Sequence, residues 1–125
     1  MLMGVVADDV TGANDIGIMF SNGGCRTNVF SIQTDHLSFP DFSRYPADVV
    51  VLDTNSRLDS ARLAYQKVYK ATRYLKDAGC NRFYKKTCSV FRGNIGAEFD
   101  AMLDALDLEF AGIVLGFPKD RKSVV

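Results

Sequence analysis

The stretch Leu2-Met3-Gly4-Val5-Val6-Ala7, running straight into Asp8-Asp9-Val10-Thr11-Gly12-Ala13-Asn14-Asp15, decides the fold. An apolar run with no polar alternation predicts a strand buried on both faces. Two carboxylates end it, and a helical period over Asn14–Ser21 follows, closed by Gly23-Gly24 where a left-handed cap belongs. A buried strand that feeds a charged turn and then a helix opens a parallel α/β sheet.

The same alternation continues outward. Arg26–Ile32 and Asp48–Leu52 read as strands, the second apolar throughout its middle, with a looser stretch holding Pro40 and Pro46 between them. Ala61, Ala64, Val68, Ala71, Leu75 and Ala78 form one narrow helical stripe, with Asp59 or Ser60 able to cap its start and Gly79 just past its end. Arg62, Lys67, Lys70, Arg73 and Lys76 lie off that stripe and read as a solvated face. Arg82–Lys86 is a fourth strand, and Ile95, Phe99, Met102, Leu103 and Leu106 mark a third helix. Gly112–Leu115 is a fifth strand. The expectation is a three-layer α/β sandwich around a five-stranded, mainly parallel sheet of flavodoxin-like order 2-1-3-4-5.

Composition narrows the function classes. The 125 residues suit one domain, and 47% hydrophobic with 24% charged residues excludes disorder. Fifteen Lys and Arg balance 15 Asp and Glu, so no field favours nucleic acid or an anionic membrane. No apolar run is long enough to span a bilayer, and Asp8-Asp9 follow too soon for a signal peptide. Cys25, Cys80 and Cys88 are odd in number and far apart, without a CxxC pair, which fits a reduced cytoplasmic setting better than a disulfide framework. The single His36 argues against a histidine triad or metal centre.

In an open parallel sheet, ligands bind beyond the carboxyl ends of the strands. Three polar loops converge there: Asp8–Asp15, Asp53–Arg57 and Lys86–Asn94. Asp8 and Asp9 can accept hydrogen bonds from ligand hydroxyls or take a proton, although either alone can simply cap a helix. Arg57, Lys86 and Arg92 are cations suited to an acid group, and Arg92-Gly93-Asn94-Ile95-Gly96 opens a helix whose start favours an anion. The competing reading pairs Arg57 and Arg92 with Asp8, Asp9 or Asp53. Carboxylates beside cations describe a site for a small polyhydroxy acid. No GxxxxGK[ST] or GxGxxG cradle is present.

At these loops the chain resembles the N-terminal, sugar-acid-binding domain of the four-carbon acid sugar kinase family. The matching residues are Gly4–Asp15, Asn55-Ser56-Arg57, Tyr84–Gly96 and Asp100–Leu106, in the same order and spacing up to about Lys119. The resemblance implies an ATP-dependent kinase acting on threonate, erythronate or an oxidised relative. It assigns substrate binding to Asp8, Asp9, Arg57, Lys86, Ser89, Arg92 and Asn94, with Arg57 and Arg92 holding the acid's carboxylate. It places ATP and magnesium on a C-terminal domain with no counterpart in residues 1–119 or in the divergent tail 120–125, so the lobe by itself is expected to lack kinase activity. The partners expected for this chain are the small-molecule sugar acid and either a second copy of itself in a homo-oligomer or a separate ATP-binding lobe, with no nucleic acid and no membrane. Many members carry Asp-Ser-Thr where Cys88-Ser89-Val90 stands, which bears on substrate preference. Two other readings stay open: a non-enzymatic small-anion-binding or assembly module, and a magnesium-dependent hydrolase using Asp8 and Asp9.

Overall fold

A computed structural model describes residues 2–32, 46–87 and 93–107. The elements run β1 (Met3–Ala7), α1 (Val10–Asn22), β2 (Thr27–Ser31), β3 (Val49–Asp53), α2 (Ala61–Asp77), β4 (Arg82–Lys86) and α3 (Ile95–Leu106). All four strands pair in parallel. The expected fifth strand, Gly112–Leu115, lies outside the described residues.

Strand parity sorts the core into two layers. Val5, Ala7, Val49 and Val51 face α1 through Ala13 and Ile16. Val6, Val50 and Leu52 face the other way, onto Val68, Ala71 and Leu75 of α2 and Ala101 and Met102 of α3. The three-layer α/β arrangement therefore stands.

The strand order does not match the expectation: it is β2-β3-β1-β4, with β3 rather than β1 beside β2. Either order centres the two most apolar strands, so hydropathy could not choose. Single polar contacts do. Arg26 and Asp48 tie the starts of β2 and β3, with Arg26 N donating to Asp48 Oδ2 at 2.9 Å and Asp48 N to Arg26 O at 2.8 Å. Beyond β3, Thr54 N donates to Ala7 O at 2.9 Å and Ser56 N to Asp8 O at 2.9 Å, which zips that exit onto β1. α1 and α2 cover opposite faces of the sheet, and the connections leaving β1 and β3 run toward opposite edges of the strand order, which puts the topological switch point at the carboxyl ends of those two strands.

Two further readings are corrected. α1 begins at Val10, four residues before the expected start, because Asp9 is its N-cap and accepts from Gly12 N at 2.8 Å. On α3 the buried residues are Glu98, Ala101, Met102 and Ala105, while Ile95, Phe99, Leu103 and Leu106 are only half-buried. Small alanines let α3 approach α2 closely, and the buried Glu98 has a cation to meet.

Candidate functional site

Asp8 and Asp9 follow the last residue of β1 at this switch point, and Arg57 reaches both. Its Nε lies 3.1 Å from Asp8 Oδ2, its Nη2 3.2 Å from Asp8 Oδ1, and its Nη1 3.0 Å from Asp9 Oδ2. The two-pronged grip on Asp8 is the geometry a planar guanidinium prefers. Asp8 is 1% exposed, whereas the Arg57 and Asp9 side chains are 20% and 25% exposed. Asp9 thus does two jobs, capping α1 through Oδ1 and meeting Arg57 through Oδ2.

The loop carrying Arg57 is braced from β1, α2 and α3. Ser56 N and Arg57 N donate to Asp8 O at 2.9 and 3.2 Å. Asn55 N donates to Asp53 Oδ1 at 2.8 Å, closing a turn in which Asn55 takes a φ of 47°. Thr54 Oγ1 bonds Ala7 O at 3.0 Å and shares a 2.7 Å hydrogen bond with Ser56 Oγ. From α2, Lys67 Nζ donates to Asn55 O and Asp59 Oδ2. Lys67 is 3% exposed, so it belongs to this brace and not to a solvated face. Asn94, at the start of α3, makes no side-chain cap; its Nδ2 donates to the carbonyls of Ser56, Arg57 and Asp59 at 3.2, 3.4 and 2.6 Å.

Gly93 completes the contact. Its φ is 95°, and a Cβ there would lie 2.8 Å from Arg57 Cγ and 3.2 Å from Arg57 O, so only glycine lets this strand-to-helix loop press on Arg57. Lys86, at the end of β4, lies against the first turn of α1 near Gly12, with Nζ donating to Thr87 O. The structure therefore brings Asp8, Asp9, Arg57, Asn94 and, across the α1 start, Lys86 to one edge. Ser89 and Arg92 lie outside the described residues.

Three groups near the site were not among the expected site residues: Asp53, which the sequence offered only as a pairing partner for the arginines, and Lys85 and Glu98. Asp53 is 4% exposed, and burial pushes its carboxyl up, opposed by Asn55 N–H and the Ser31 hydroxyl and reinforced by the Asp9 and Asp8 charges. Its place at a strand end was the available signal. Lys85 follows Phe83 on the inward phase of β4, the cue for a buried lysine. Among the described residues no three His, Cys, Asp or Glu side chains converge to hold a metal. Arg57, not an open gap, lies between the paired carboxylates. No described helix is long and apolar enough to cross a membrane.

A 3-oxo-tetronate kinase of Haemophilus influenzae is 33% identical over 98% of this chain and 30% of its own length. A D-threonate kinase of Salmonella typhimurium is 39% identical over 94% of the chain and 27% of its own length. The chain thus spans less than a third of such relatives. A crystallised protein of Bordetella bronchiseptica, a domain-swapped dimer with bound citrate, superposes with a TM-score of 0.74 at 33% identity, covering 84% of this chain and 26% of that one. Residues 3–125 match the sugar-binding N-terminal domain found in these kinases, and the chain belongs to that family.

Proposed function

We propose that this chain is the substrate-recognition lobe of an ATP-dependent kinase acting on a four-carbon sugar acid of the threonate or erythronate type, and that it binds the acid before any nucleotide lobe closes. The carrying observation is the Asp8–Arg57–Asp9 cluster at the carboxyl ends of β1 and β3, on a loop braced from β1, α2 and α3. Asp8 is buried and spent on Arg57, so it positions that cation. Asp9 and the exposed edge of Arg57 meet the ligand, Asp9 accepting from its hydroxyls. Lys86, with Arg92 and Ser89 assigned on sequence alone, faces the acid group, and Asn94 acts through the loop it holds.

Phosphoryl transfer needs a phosphate cradle and magnesium ligands, which this reading gives to the remainder of a full-length kinase.

Calorimetric titration with D- and L-threonate and D- and L-erythronate, without ATP, tests the reading. Saturable binding of one isomer, weakened by Lys86→Met, is expected. No binding of any isomer at millimolar concentration would overturn recognition by this lobe.

A further inference from the structure

Lys85 and Glu98 touch none of the exposed site, yet they lie directly beneath it. Each side chain is 2% exposed, and Lys85 Nζ stands 2.9 Å from Glu98 Oε1. Neither Glu98 oxygen has a well-directed hydrogen bond. Burial pushes the Glu98 carboxyl up, Lys85 opposes this, the Asp8 charge adds to the rise, and the Ser56 hydroxyl opposes it. Apolar residues of similar volume would serve a core at least as well, so stability alone gives no reason for the pair.

What the pair does is join elements. Lys85 Nζ also donates to Lys86 O at 3.2 Å, at the end of β4. Glu98 follows Asn94 by one helical turn on the same face of α3, and Asn94 grips the loop carbonyls of Ser56, Arg57 and Asp59. Ser56 Oγ continues through Thr54 Oγ1 to Ala7 O. A buried polar layer therefore runs from β4 and α3, under the Arg57 loop, to the last residue of β1.

We propose that Lys85 and Glu98 are positioning residues for the sugar-acid site: by fixing the first turn of α3 to the end of β4 beneath Ser56, they set where the loop holds Arg57 against Asp8 and Asp9. The ligand readout rests on the sugar-acid reading; a second readout does not.

The test is the double variant Lys85→Met/Glu98→Leu, which removes both charges at similar volume. It should bind the preferred acid about ten-fold more weakly, the order of loss when an outer supporting layer is removed. Its Arg57 Nε–H resonance should shift and exchange faster with water. Leu75→Ala, a destabilising core change at the opposite end of the sheet, should leave both readouts as in the wild type. Wild-type affinity in the double variant, or an unchanged Arg57 resonance, overturns the proposal. If the wild type binds no acid, the sugar-acid reading falls and the Arg57 resonance alone decides the positioning role. Should the double variant fail to fold, Glu98→Gln is measured in its place with the same expected and overturning results.

Discussion

Arg57→Ala should destabilise the domain far more than loss of a surface ion pair would. The substitution strips Asp8 of donors at 3.1 and 3.2 Å and Asp9 of one at 3.0 Å, while Asp8 remains 1% exposed. Removing one partner of a buried pair costs about 3–5 kcal/mol, against about 0–1 kcal/mol for an exposed pair. Because the Arg57 side chain is 20% exposed, water can take some of its place, which puts the loss near the lower end, about 3 kcal/mol. For a domain of this size that lowers the melting temperature by about 10 °C. Urea unfolding followed by far-UV circular dichroism, with the slope held constant, measures it directly. Arg57→Lys keeps the charge but cannot span two carboxylates, so it should fall between alanine and wild type. A loss under about 1 kcal/mol for alanine, or a lysine variant as stable as wild type, would refute the view that Arg57 holds Asp8 in a buried clamp. It follows that lost acid binding in the alanine variant would not by itself make Arg57 a ligand contact.

Gly93→Ala should cost at least about 1 kcal/mol more than Gly24→Ala in thermal unfolding: both have positive φ, but only Gly93 presses on Arg57, and equal losses would mean that contact contributes nothing. Glu98 titrates above its ordinary 4.5 when folded, so its stabilising share is full below that pH and is lost as pH rises through the folded value. The penalty of Glu98→Gln in urea should accordingly shrink from pH 4 to pH 7, and a penalty that grows would contradict burial as the dominant cause. Lys67→Met should cost about 1–3 kcal/mol and speed amide hydrogen exchange across the 54–59 loop, with unchanged exchange excluding Lys67 from the brace.

Element type and position were legible wherever one period dominated. Arg82–Lys86 is a strand over the expected span, and the Ala64–Leu75 stripe is the buried face of α2 with Ser60 as its cap. What could not be read depended on pairs distant in sequence. Strand order turned on Arg26 with Asp48 and on Ala7 with Thr54, contacts that no local pattern announces. The α1 start was set by one Asp9 carboxylate oxygen, which composition cannot assign between capping and ligand binding. α3 was rotated from its expected face because a glutamate scores as outward until a buried lysine is known to oppose it. For the site, the edge and most of its residues were readable from polar strand ends, but the division of labour among them was not. Asp8 and Asp9 are neighbours in sequence, and burial alone makes one a support and leaves the other within reach.

That division constrains how an acid would lie. Arg57 is already shared by two carboxylates, and Asp53 adds a third acidic group behind them. Among these four groups negative charge is in excess, so an incoming carboxylate pays repulsion on the β1–β3 side, where hydroxyls find acceptors. Lys86 lies on the other side of the α1 start, with Arg92 following it in the same connection. Under the sugar-acid reading proposed above, the acid would gain most with its hydroxyls over Asp9 and its carboxylate toward the end of β4. Because the 54–59 loop is tied to β1, α2 and α3 before any ligand arrives, little ordering entropy remains to oppose binding in that orientation. The same rigidity explains why discrimination would fall to hydroxyl stereochemistry: a fixed carboxylate such as Asp9 accepts from one configuration and leaves the opposite one unpaired.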